Sequence, residues 1–236
     1  GEIDYICSRS LNQFNQNVMI NRELINPQSI VVVGGSNNVH KPGGRLVRNL
    51  LDGKYKGELY VVNAKEDDVQ GLKSYHSVHD IPETELAIIS IPGPACPEAV
   101  DVLAKQKNVK AFIVISAGFG EETHEGAILE EQMLKSINEA GASLIGPNCI
   151  GLMNMHYQGV FTQPIPEFHA DGVDFISSSG GTALFIIESA LTKGLRFSSV
   201  WSVGNSKQIG VEEVIEYMDR NFDPVLDSKI KMLYIE

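Results

Sequence analysis

Five short runs are apolar at nearly every position: SIVVVG (29–34), ELYVVN (58–63), LAIISI (86–91), AFIVIS (111–116) and ASLIG (142–146). A strand with no polar face must be covered on both sides, which excludes a sheet open to water and favours a parallel sheet between helices. The intervening stretches supply those helices. GRLVRNLLDG (44–53) has a helical stripe with Gly53 placed to stop it, Pro94 to Lys107 carries apolar spacing at Ala95, Ala99, Val102 and Leu103, and a third helix is expected over about 123–140. In such sheets ligands lie beyond the carboxyl ends of the strands. Most of the stretches that follow these strands, GGSNN, NAK, PGP, SAGFGEE and GPNCIG, are small and rich in Gly or Pro.

The first of these ends, IVVVGGSNNVHKPGG (30–44), invites a dinucleotide reading that its spacing refuses. Gly34, Gly35, Gly43 and Gly44 do not fall at G-x-G-x-x-G, and the second strand runs into Asn63, Ala64 and Lys65 rather than an acid for ribose hydroxyls. Lys65 would instead favour a phosphate. No Lys-Ser/Thr pair follows the glycines, so a P-loop is excluded too. A glycine turn serving only strand-to-helix packing remains the alternative.

Net charge is −11, from 30 acids against 19 bases, and no Lys/Arg cluster appears. That argues against nucleic acid as partner, while local backbone N–H groups can still hold an anionic ligand. No apolar run reaches the roughly 18 residues of a membrane span, and the first ten residues show no secretory pattern. Cys7, Cys96 and Cys149 are odd in number and lack metal spacing, which fits a reducing cytoplasm.

The pattern restarts further on. Residues 1–28 read as an arm, 29–154 as the first domain, 155–172 as an irregular linker and 173–236 as a second α/β unit. That unit runs from VDFISSSGG (173–181) through a helix TALFIIESALTKG, the strand SSVWSVGN, a helix VEEVIEYMDR and a strand IKMLYIE. Three strands make a meagre sheet, so the chain reads as part of something longer. An unfinished sheet also predicts partner surface, a homo-oligomer among the options.

Taken in order, INPQSIVVVGGSNNVHKPGGRLVRNLL, VVNAKEDDVQGLKSYHSVHDIPE, IISIPGP, VISAGFGEE and GPNCIGLMN resemble the CoA-binding domain of NDP-forming acyl-CoA synthetases, relatives of the succinyl-CoA synthetase α subunit. The resemblance runs from about residue 20 to the end and implies a Rossmann-like CoA-binding domain followed by part of a flavodoxin-like one. It implies an acid–thiol ligase that joins a small carboxylic acid to coenzyme A through acyl phosphate and a phosphohistidine. ATP or ADP and Mg would be held by a grasp-type nucleotide-binding β portion, in the same chain or another subunit. By the same match Gly35, Ser36 and Asn37 face CoA phosphates with Lys41 nearby, and Asn63 and Lys65 lie near the ribose 3′-phosphate and adenine. Ile91 and Pro92 pack on the nucleotide, Ser116, Ala117 and Gly118 line the pantetheine path, and Asn148 and Cys149 sit near the thiol end. Ala64 departs from the proline often found there.

SSSGG is the second chemical signal: hydroxyls and free N–H groups at a helix N-terminus form an anion site, and they are also ordinary capping chemistry. The resemblance gives Ser177, Ser179 and Gly180 a phosphate-binding role, fits Gly204 and Asn205 to the same stretch, and makes Glu236 the carboxylate that orients the phosphohistidine. No matching histidine occurs in the chain, so on this reading the chain alone does not turn over. Cys149 has no recognisable base in its motif and reads as a lining residue. His40, His76, His79, His124, His156 and His169 show neither i,i+4 pairing nor zinc spacing. A CoA-binding regulatory module of a protein acetyltransferase fusion, without ligase activity, is the alternative function.

Overall fold

The computed structural model describes residues 20–227 and 229–235. A single turn of helix, α1 (Arg22–Ile25), precedes strand β1 (Ser29–Val33). Then follow α2 (Pro42–Asp52), β2 (Glu58–Val62), β3 (Asp68–Val69), β4 (Leu72–Tyr75) and β5 (Leu86–Ile89). A 3-10 turn, Gly93–Ala95, leads into α3 (Cys96–Gln106), β6 (Ala111–Val114), α4 (His124–Glu139) and β7 (Ser143–Ile145). These strands form one seven-stranded sheet in the order β3-β4-β2-β1-β5-β6-β7, parallel except for the β3–β4 hairpin at its edge.

Two-residue periodicity divides the central strands between two cores. Ile30 and Val32, with Leu86, Ile88 and Ile113, face the core that holds Leu46, Val47 and Leu50 of α2. Val31 and Val33, with Ala87, Ile89 and Phe112, face the core that holds Val100 and Leu103 of α3 and Met133 and Ile137 of α4. Neither face could be polar without leaving an unpaired group in a dry layer, which is why these strands read as continuous apolar runs.

The second sheet is built from β8 (Gly151–Asn154), β9 (Gln158–Val160), β10 (Phe168–Ser177), β11 (Phe197–Ser202) and β12 (Lys231–Tyr234), in the order β12-β10-β11-β8-β9. Helices α5 (Gly180–Thr192) and α6 (Val211–Arg220) complete it. Sequence reasoning expects three strands here and an irregular stretch over 155–172. The structure instead forms a hairpin from residues 151–160 and runs it antiparallel against β11, so the sheet is mixed. The reason is local: Asn154 Oδ1 accepts from the N–H groups of His156 at 2.8 Å and Tyr157 at 3.2 Å, folding the chain back at once.

One face of this second sheet shares a core with the first. Leu152, Ile176 and Trp201, with Val211 and Val214 of α6, join the cluster under β1 and α2. The opposite face, Met153, Phe175 and Val200, is covered by Ala183 and Ile187 of α5. This shared apolar core couples the two sheets and brings the carboxyl ends of the first against the α5 end of the second.

Candidate functional site: a cleft between the two sheets

A cleft of about 920 Å³ opens where the two sheets meet. One wall is made by strand ends of the first sheet: Gly34 and Ser36 after β1, Ser90, Ile91 and Pro92 after β5, and Ile115, Ser116 and Ala117 after β6. The loop after β7 adds Asn148, Cys149 and Ile150. The facing wall is Ser178, Ser179, Gly180 and Gly181 at the start of α5, with Gly204 and Asn205 after β11.

Glycine is needed in two places for this wall to close. Gly34 holds φ +91°, and a side chain there would meet the Ser90 carbonyl oxygen at 2.2 Å. Gly43, at the start of α2, would place a side-chain carbon 1.9 Å from the Gly34 carbonyl oxygen. The first turn of α2 therefore packs directly on the β1 turn, and its Pro42 and Gly43 line the cleft beside Lys41.

At the opposite wall Ser179 caps α5, its hydroxyl accepting from Thr182 N–H at 3.4 Å. Ser177 is fully buried, donates to the Ser179 carbonyl at 2.7 Å and accepts from Ser179 N–H at 3.2 Å, so it shapes the turn from behind. The N–H groups of Gly180 and Gly181, as the first helical residues, have no intrahelical acceptor. The starts of two helices thus line one cleft, and helix N-termini favour negative charge whatever the net charge of the chain.

Polar side chains hold the strand ends in register. Ser116 Oγ donates to the Ile91 carbonyl at 2.6 Å and accepts from Ile91 N–H at 3.1 Å. Asn148, in the left-handed region at φ 56°, donates its N–H to the Ser116 carbonyl at 3.0 Å. Cys149 is 4% exposed; its thiol donates to the Val114 carbonyl at 3.3 Å, and burial pushes its pKa up to about 12. A thiol so placed is protonated at neutral pH and is no nucleophile.

Sequence reasoning passes over a clamp at the rear of the cleft. Asn205 Nδ2 donates to Glu121 at 2.6 Å and to Glu130 at 3.1 Å. Lys207 pairs with the nearly buried Glu130 carboxylate at 3.1 Å. Glu121 also accepts from the N–H groups of Gly118 and Phe119. Burial works to raise the Glu121 pKa, but the amide and backbone donors outweigh it and hold its carboxyl below the usual range. In the sequence Glu130 looks like one more surface acid of α4; only its burial marks it out.

Of the residues expected at a CoA site, Ser36, Lys41, Ile91, Pro92, Ser116, Ala117, Asn148 and Cys149 line this one cleft together with Ser179 and Gly180. Gly35, Asn37, Asn63, Lys65 and Gly118 are not among its lining residues. Gly35 is buried, and a side chain on it would meet Val61 at 2.4 Å. Asn37 is tied to Glu66 and Gln70, and Asn63 donates to the Gly35 carbonyl at 2.7 Å while accepting from Lys65 N–H at 2.9 Å. Glu236 lies outside the described residues, as does Cys7. No cluster of three metal-ligating side chains occurs among the described residues.

Comparison with known proteins gives this geometry its context. Residues 28–155 match the family described as CoA binding domain. The chain belongs to that family. Residues 170–236 match a second one, the succinyl-CoA ligase like flavodoxin domain. The CoA-binding chain is 35% identical to the acetate–CoA ligase [ADP-forming] II subunit alpha of Pyrococcus furiosus over 89% of its own length and 45% of that relative. It superposes with a TM-score of 0.82 on a crystal structure of a Pyrococcus horikoshii OT3 protein, at 36% identity, covering 91% of this chain and 48% of that one. The same score relates it, at 30% identity, to a dinucleotide forming acetyl-coenzyme A synthetase 1 of Ca. Korarchaeum cryptofilum in complex with phosphate and ADP, covering 91% and 45%. The chain therefore spans somewhat less than half the length of these three proteins. Among the described residues no helix is long and apolar enough to cross a membrane.

Proposed function

We propose that this chain is the CoA-binding portion of an acyl-CoA synthetase of the ADP-forming kind, acting in the cytoplasm. The supporting observation is that the strand-end loops and the Ser179–Gly181 turn, two signals far apart in sequence, line the same cleft. The donor set suits the ligand. Lys41 offers charge to phosphates beside the N-terminus of α2, Ser116, Ala117 and Asn148 offer a polar path for a pantetheine arm, and Cys149 supplies a small apolar lining near the thiol.

In this reading Asn37, Asn63, Lys65 and Gly118 flank the CoA site, Gly35 holds the β1 turn from beneath it, Ser177 supports the α5 turn, and the N–H groups of Gly180 and Gly181 receive the phosphoryl end of an acyl phosphate. The CoA sulfur then attacks the acyl carbonyl, a C–S bond forms, the C–O bond to phosphate breaks and phosphate leaves onto the α5 N-terminus. The thiol proton passes to water or phosphate. Stabilising the departing anion is the work of that helix end. ATP or ADP, Mg and the phosphohistidine belong to the part of the architecture that this chain does not span, with Glu236 orienting the imidazole.

The test is made on the full-length protein carrying this chain, supplied with ATP, Mg, CoA and a series of carboxylic acids. The proposal expects acyl-CoA, ADP and phosphate in equal amounts. Transfer of an acetyl group to protein lysines with no ADP formed would replace it with a regulatory role.

A further inference from the structure

The β3–β4 hairpin contributes no residue to the lining of the cleft, yet one of its side chains reaches the loop that does. Gln70 Nε2 donates to the Ser36 carbonyl at 2.9 Å and to the Gly44 carbonyl at 2.7 Å, and the Gln70 N–H donates to Asn37 Oδ1 at 2.7 Å. Ser36 and Gly44 bracket Lys41, which is the N-cap residue of α2 and makes no side-chain capping bond there. Bonds within the stretch are short-range: Asn38 accepts from the N–H groups of His40 and Lys41, and its own N–H donates to Ser36 Oγ. These bonds curl the loop, whereas the Gln70 amide bridges it from Ser36 to the first turn of α2.

Gln70 does this from a costly position. It and Gly71 are the central residues of the β3–β4 turn, at φ 55° and 86°, a geometry that favours Asn-Gly or Gly-Gly. Its Oε1 is buried with no hydrogen-bond partner among the described residues. A residue that breaks two local rules at once points to a gain elsewhere. We propose that Gln70 is a positioning residue for CoA: by fixing Ser36 against α2 it holds Lys41 where the CoA phosphates are met. The inference rests on the CoA reading and adds to it a residue from outside the cleft. A neutral amide brings no charge to a phosphate, so its contribution is to place the charge of Lys41.

The test is calorimetry with CoA on the full-length protein carrying this chain, as wild type, Gln70→Gly, Lys41→Ala and the double variant. Glycine suits the positive φ and keeps the backbone bond to Asn37, so Gln70→Gly should keep the wild-type fold, checked by thermal unfolding. Its affinity for CoA should fall about tenfold, the worth of roughly one to two ordinary hydrogen bonds. Gln70→Glu, equal in size but with no N–H to donate, should fall at least as far. In the Lys41→Ala background the loss of Gln70 should cost less than about threefold, because the charge it places is gone. Should one Gln70 variant fail to fold, the other carries the same cycle. If wild type does not bind CoA, the CoA reading falls and this inference with it. If wild type binds and the Gln70 variants bind equally well, or lose the same factor with and without Lys41, the positioning role alone is overturned.

Discussion

At Cys149 the motif and the structure can be weighed on a single side chain. A cysteine in a Gly-Pro-Asn-Cys turn invites a covalent role, but this thiol is almost fully enclosed and hydrogen-bonded to a backbone carbonyl. In the folded chain it should resist maleimide at pH 8 and react on denaturation. Its folded pKa of about 12 stands above its ordinary value of 9.0. The stability it lends is therefore complete below about pH 9 and is lost as pH climbs toward about 12, because only the unfolded chain releases the proton over that span. Denaturant titrations across that range should show wild type losing stability faster than Cys149→Ala; parallel curves would mean that the thiol is solvated. The Asn-Cys pair of this turn and Ser116 are legible in the sequence because the motif carries their type and order. Glu121 and Glu130 are not, since their roles come from burial and from contacts 84 and 75 positions away in the chain.

At the scale of the element, the phosphate role proposed for α5 rests on its first turn. Ser179→Ala removes the cap and should cost about 0.5–2 kcal/mol of stability. Gly180 and Gly181 should separate cleanly. A side chain on Gly181 meets nothing within 4 Å, whereas one on Gly180 meets Ile150 at 2.9 Å. Gly181→Val is thus expected to fold normally and to block an anion at the helix end, read as loss of inorganic phosphate binding by NMR or calorimetry with CoA affinity retained. Undiminished phosphate binding in that variant would reduce the turn to a cap. The long helices and buried strands are readable because their patterns are strong: α4 is expected over about 123–140 and forms at His124–Glu139. The β3–β4 and β8–β9 hairpins are not, because their short strands lack a continuous apolar run and their pairing is set by turns at Gln70–Gly71 and by Asn154.

For the whole molecule the question is what holds two sheets at the angle that makes a cleft. The shared core supplies adhesion, and the clamp of Glu130, Asn205 and Lys207 supplies alignment. Lys207→Met leaves a buried carboxylate without its counter-ion and should cost about 1–3 kcal/mol. Glu130→Gln in the same background should recover part of that loss, a coupling a double-mutant cycle in urea would reveal; additive effects would mean that the pair contributes nothing across the domains. The central claim is that the cleft between the sheets binds CoA through anion-seeking helix ends and Lys41, and its most direct measurement is calorimetry of this chain with CoA, NADH and the Lys41→Ala variant. The account predicts that CoA binds and NADH does not, and that Lys41→Ala weakens CoA by about ten- to a hundredfold, the worth of one charge-assisted contact of about 1.5–3 kcal/mol. NADH binding more tightly than CoA, or CoA affinity indifferent to Lys41, would contradict it.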